Sequence, residues 1–113
     1  MHAVVVWWDL AGSGRTVASL RRFLREEAVE RFSRVEGLRL KFWISDEANE
    51  RWGAVLLWES AEAAAVPLPG RAAELIGRPP AVRFSFDVEA TAEGVYGIAA
   101  LAGRGVALET PTD

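Results

Sequence analysis

The chain contains no cysteine and only one histidine, His2. Without thiols there is no disulfide framework, no thiolate nucleophile and no Cys-ligated metal. A lone histidine at the start of the chain supplies too few ligands for a metal site, so none is expected. Positive charge is also short: 13 Lys and Arg stand against 16 Asp and Glu, a net charge of −3. That leaves no basic field for nucleic acid. No apolar run approaches the roughly 20 residues of a membrane span, and no basic leader with a small-residue cleavage site opens the sequence. A cytoplasmic protein without membrane partners is the expectation. Cofactor motifs are missing as well. Ala11-Gly12-Ser13-Gly14 separates a strand from a helix but lacks the Gly-Lys-Ser/Thr ending of a phosphate loop.

What the chain does have is apolar and aromatic. Half of its 113 residues are hydrophobic, and five are tryptophan. Trp7 and Trp8 lie in HAVVVWWDL, Trp43 in GLRLKFWIS and Trp58 in GAVLLWES, with Trp52 just before the last of these. An indole buries a large area yet keeps an N–H that needs a partner, so it serves equally to fill a core or to line a cavity.

The periodicity predicts the order βαββαβ. Residues 3–8 are β-branched and aromatic without a polar break, as in a strand buried on both faces. Thr16 is placed to cap a helix reaching about Val35, with Val17, Leu20, Leu24, Ala28 and Phe32 on one face. Leu38, Leu40, Phe42 and Ile44 then alternate with Arg39, Lys41, Trp43 and Ser45, the period of a strand. After a polar hairpin, Gly53–Trp58 forms a second two-sided apolar strand. Ser60 caps a second helix, which Pro67, Pro69 and Gly70 interrupt before it resumes over Arg71–Ile76. Val82, Phe84, Phe86 and Val88 alternate with Arg83, Ser85 and Asp87 in the last strand.

This is an α+β, ferredoxin-like arrangement with a four-stranded antiparallel sheet of order 4-1-3-2. The two-sided strands take the centre and the alternating strands the edges. Residues 1–90 form the domain, and residues 91–113 a glycine-rich C-terminal arm expected to dock in part, across a partner or over a pocket mouth. With both helices on one face, the other needs cover, and a second copy in a homodimer is the simplest cover.

Residues 37–60, GLRLKFWISDEANERWGAVLLWES, resemble the YdhR-like mono-oxygenase family of the dimeric α/β-barrel superfamily. Gly37 after the helix, Lys41-Phe42-Trp43, the acidic hairpin, the apolar third strand and Phe86-Asp87-Val88 carry the resemblance over roughly residues 3–90. It implies a dimeric α/β barrel with a small-molecule cavity between sheet and helices, and Trp58 as a pocket residue. Relatives often place a histidine in the second helix, where this chain has Val66-Pro67-Leu68-Pro69-Gly70.

Candidate substrate-binding residues are therefore Trp58, Trp8, Trp43, Arg39, Lys41 and Tyr96, with no catalytic base identified. Arg39, Lys41 and Trp43 share one face of their strand, and Arg83, Ser85 and Asp87 one face of theirs. These polar faces are expected to meet inside the dimer barrel or to face solvent. Two functions fit. The first is a cofactor-independent mono-oxygenase acting on a planar aromatic or polyketide-like molecule, where the protein binds, desolvates and stabilises an anion. The alternative is a non-catalytic or stress-related dimer that binds an apolar or aromatic small molecule.

Overall fold

The computed structural model describes residues 1–99 and 101–108. Strand β1 (His2–Asp9) is followed by helix α1 (Val17–Phe23), a π-helical stretch (Leu24–Ala28) and α2 (Val29–Phe32), which together form one helical rod. Strands β2 (Leu38–Asp46) and β3 (Arg51–Trp58) make a hairpin, then come α3 (Ala61–Ala64), α4 (Arg71–Ile76) and β4 (Val82–Asp87). The rod starts at a reciprocal cap: Thr16 Oγ1 accepts from the Ser19 amide at 3.0 Å, and Ser19 Oγ accepts from the Thr16 amide at 2.8 Å. Ser60 caps α3, its hydroxyl accepting from the Ala63 amide at 3.1 Å. Pro67 and Pro69 separate α3 from α4 because neither ring allows an amide hydrogen bond there.

The four strands are antiparallel in the order β2-β3-β1-β4. The uninterrupted apolar strands are central, where both faces need apolar side chains, and the alternating strands are at the edges. The class is mixed α+β. The dimeric α/β barrel is not found: β2 and β4 remain open edges and the sheet does not close on itself. Four twisted strands with unpaired ends leave a layer, and closure would require edge pairing that no described residue makes. The barrel-based resemblance to YdhR-like mono-oxygenases loses its structural basis with it.

Register assigns each side chain to a face. On the helix-facing side lie three four-strand rows, Leu38–Trp58–His2–Asp87, Lys41–Leu56–Val4–Ser85 and Trp43–Ala54–Val6–Arg83, and the three-strand row Ser45–Trp52–Trp8. On the open side lie three four-strand rows, Leu40–Leu57–Ala3–Phe86, Phe42–Val55–Val5–Phe84 and Ile44–Gly53–Trp7–Val82, followed by the charged three-strand row Asp46–Arg51–Asp9. This corrects the expected barrel placement of these polar faces: they turn toward the helical side, where Lys41 is half-buried, while Arg83, Ser85 and Asp87 are exposed, as the solvent alternative had it. The covered core holds Trp8, Leu10, Val17, Leu20, Trp52 and Ile76 at one end and Val4, Ala54, Leu56 and Trp58 at the other.

The described part of the arm is tied to its own domain. The Val106 amide donates to the Val88 carbonyl and the Ala107 amide to that of Glu89, both at 2.6 Å. Gly105 (φ +128°) is buried there, and a Cβ on it would lie 2.5 Å from the Glu89 carbonyl oxygen, closer than any side chain can sit. Residues 100 and 109–113 of the expected 91–113 arm lie outside the described residues.

Candidate functional site

A cavity opens between the helix-facing side of the sheet and the helical layer, in two lobes of about 230 and 250 Å³. Trp8, Phe23, Trp43, Pro69 and Pro80 line the first lobe, and Val4, Val6, Leu56, Trp58 and Ala64 the second. Phe32, Lys41, Leu68 and Arg83 line both. Each lobe alone is slightly smaller than the usual small-molecule pocket of about 300–1,000 Å³, and the four shared residues place the two side by side. The Val66–Gly70 segment forms its outer wall, with Val66 60% exposed.

The π-helical stretch helps build this wall. Phe23 and Phe32 flank it, nine residues apart, about two and a half α-turns, which would aim them to opposite sides of a regular helix. A π turn takes up about one extra residue. Both rings consequently reach the same lobe.

The charges lining the cavity are of one sign. Arg31, Lys41, Arg71 and Arg83 line it, and no carboxylate does. Arg71 is already engaged, with Glu27 at 2.8 Å and Glu74 at 3.4 Å. Lys41 Nζ sits 3.2 Å from the Phe32 ring centre and 4.7 Å from that of Trp43. Burial pulls its pKa down to about 7, because the charged ammonium loses hydration that no carboxylate replaces. At neutral pH the group is therefore divided between amine and ammonium, a state that ordinary surface lysines do not reach.

Of the residues expected at a site, the structure brings Trp58, Trp8, Trp43 and Lys41 together on this cavity. Trp58 is buried, at 3% exposed. Trp8 donates its indole N–H to the Arg78 carbonyl at 2.9 Å and stacks near Trp52 at 5.7 Å, so it is held as much by the core as by the cavity. Arg39 lies apart. It sits at a β-bulge between Leu38 and Leu40 and pairs with Glu59, which also takes Arg104 of the arm at 2.8 Å. Both guanidinium groups, Arg39 first, hold the Glu59 carboxyl below its ordinary pKa. Tyr96 lies on the arm, 84% exposed and outside the cavity.

Arg83, Arg31 and Phe32 line the cavity without having been candidates. A signal for the charged pocket was nonetheless present: Lys41 is the only lysine in the chain, against twelve arginines. Among the described residues no group of three or more His, Cys, Asp or Glu could hold a metal ion, and no helix is long and apolar enough to cross a membrane. No protein-family model matches the chain, and no curated protein matches it in sequence. The YdhR-like resemblance is thus without support from either comparison.

Proposed function

We propose that this protein binds a planar aromatic small molecule carrying an acidic group, in the cavity between its sheet and helices. The observation that carries the reading is a pocket walled by Trp8, Trp43, Trp58 and Phe32 and lined by cations with no carboxylate. Aromatic walls accept a flat apolar body, and the planar Arg83 guanidinium offers a fork that matches a carboxylate. Binding is favoured over oxygen insertion because no feature of the site specifically supports the oxygenase expectation. We further propose a homodimer in a cytoplasmic setting. The support for a second copy is the open sheet face, apolar along its three four-strand rows, with Phe84 and Phe86 about half exposed and the charged row Asp46–Arg51–Asp9 at its rim. Its extent, about 19 by 20 Å from ordinary strand spacings, matches the largest apolar patches of soluble monomers, about 300–600 Å², which are often functional.

The test is a titration of tryptophan fluorescence with 2-naphthoate and, separately, with its uncharged methyl ester. Naphthoate should quench and bind more tightly, and Arg83→Met should erase the preference while leaving the melting temperature unchanged. Equal affinity for acid and ester in the parent chain would remove the anion-binding reading.

A further inference from the structure

We propose that Lys41 is a carbonyl-reactive amine, condensing with the aldehyde or ketone of an aromatic carbonyl acid lodged in the cavity to give an imine. This rests on the cavity being a small-molecule site and adds a covalent step to it.

Three independent observations converge on Lys41. First, the chain uses arginine at every other cationic side chain. A guanidinium holds its proton and is no nucleophile, whereas a lysine amine can lose its proton and attack carbon. Second, the only lysine is placed inside a cavity, its Nζ against the Phe32 and Trp43 rings, where an aryl carbonyl would stack. Third, the titratable groups lining the cavity are all cationic: Arg31 from α2, Arg71 from α4 and Arg83 from β4, with none from β1 or β3. Burial favours the free amine, in keeping with a pKa of about 7, and no carboxylate lines the cavity to hold the proton.

The chemistry balances without a further reagent. The Nζ lone pair forms a C–N bond to the carbonyl carbon, and a proton passes from nitrogen to the carbonyl oxygen, giving a carbinolamine. The C–O bond then breaks, water leaves and the C=N bond is complete. Arg83, which lines the same two lobes, would hold the carboxylate of the same ligand and fix the carbonyl near Nζ.

The test uses the full chain with 4-formylbenzoate as probe and sodium cyanoborohydride to reduce any imine to a stable amine. An Arg22→Lys variant supplies an internal standard, since the Arg22 side chain is 77% exposed. At pH 7 an ordinary lysine is free amine in only about one part in a few thousand. Lys41 would then offer about a thousandfold more free amine, offset in part by its lower basicity. Peptide mapping should find the adduct on Lys41 in at least about tenfold excess over position 22. Terephthalate, which lacks the carbonyl, should suppress labelling of Lys41 alone. Lys41→Arg should abolish that adduct, and the terephthalate competition in parent chain stands even if the variant misfolds. If terephthalate quenches tryptophan fluorescence but Lys41 is labelled no more than position 22, the imine is refuted and the binding reading survives. If terephthalate neither binds nor competes and no adduct forms at Lys41, both fall.

Discussion

The two faces of this one sheet obey opposite rules. On the helix-facing side, the edge strands contribute half-buried Lys41 and Trp43 and exposed Arg83, Ser85 and Asp87, while the open side is apolar along its three four-strand rows and charged only in the end row Asp46–Arg51–Asp9. In a monomer built for stability alone, Phe42 and Phe84 would lie inward and Lys41 outward, since burying a charge without a partner is costly. The inversion is what motivates the proposed polar guest on the covered face and the proposed apolar partner on the open one.

The comparison can be broken by paired truncations. Trp52 is 3% exposed and packs on Trp8 and Phe23, with ring centres 5.7 and 6.5 Å away. Trp52→Ala should destabilise the fold by about 3–5 kcal/mol. Phe84, half exposed, should cost under about 1 kcal/mol when replaced by Ala in dilute monomer, yet more at concentrations where two copies pair. Denaturant melts at low and high protein concentration check this. A Phe84→Ala cost independent of concentration would mean that no second copy covers the open face.

The covered face can be sharpened by pH. A lysine whose folded pKa is lowered to about 7 is neutral in the fold while still protonated when unfolded, between pH 7 and its ordinary value. The unfolded chain binds more protons in that window, so stability should rise with pH across it, by up to a few kcal/mol. Below pH 7 both states are protonated and the burial penalty of Lys41 is fully present. Lys41→Met should flatten the rise. A parent chain whose stability is level from pH 7 to 10 would show that Lys41 is not desolvated.

The smallest effect concerns the arm. Glu59 holds Arg39 and Arg104, and its lowered pKa means that this attachment is intact above the ordinary glutamate range. It should weaken only as pH falls through the lower, folded value. Hydrogen exchange at the Val106 and Ala107 amides, which donate to Val88 and Glu89, would report the release. Protection lost already at pH 5 would contradict the Glu59 clamp.

Strand order was readable from sequence because two-sided apolarity singles out central strands, and only β1 and β3 have it. Which face of each edge strand meets the helices was not readable. Period-2 alternation says that Lys41 and Trp43 share a face, but a shift of one residue exchanges the faces, and the usual inward bias of apolar residues points the wrong way here. The pocket residues divide accordingly. Trp58 and Trp8 lie on central strands, whereas Arg83 emerges only when the β1–β4 register places it beside Val6. Phe32 depends on a π turn that leaves no composition signal. Tyr96 looked suitable by chemistry alone, but the arm holds it in solvent.

The Val66–Gly70 wall governs how quickly the cavity can exchange its contents. Pro67 and Pro69 have no amide hydrogen, and among the described residues neither Leu68 nor Gly70 donates a backbone hydrogen bond. Their side chains nevertheless close both lobes. Displacing this short stretch breaks at most two bonds at helix ends, Val66 N–H to the Ala63 carbonyl at 3.4 Å and Glu74 N–H to that of Gly70 at 3.0 Å, and no sheet ladder, so it is the route of least resistance to the interior. Guest residence time should then depend on the stiffness of five residues rather than on unfolding of the domain. Replacing both prolines by glycine should speed entry and departure together, in stopped-flow fluorescence, while leaving the ratio of the two rates nearly constant.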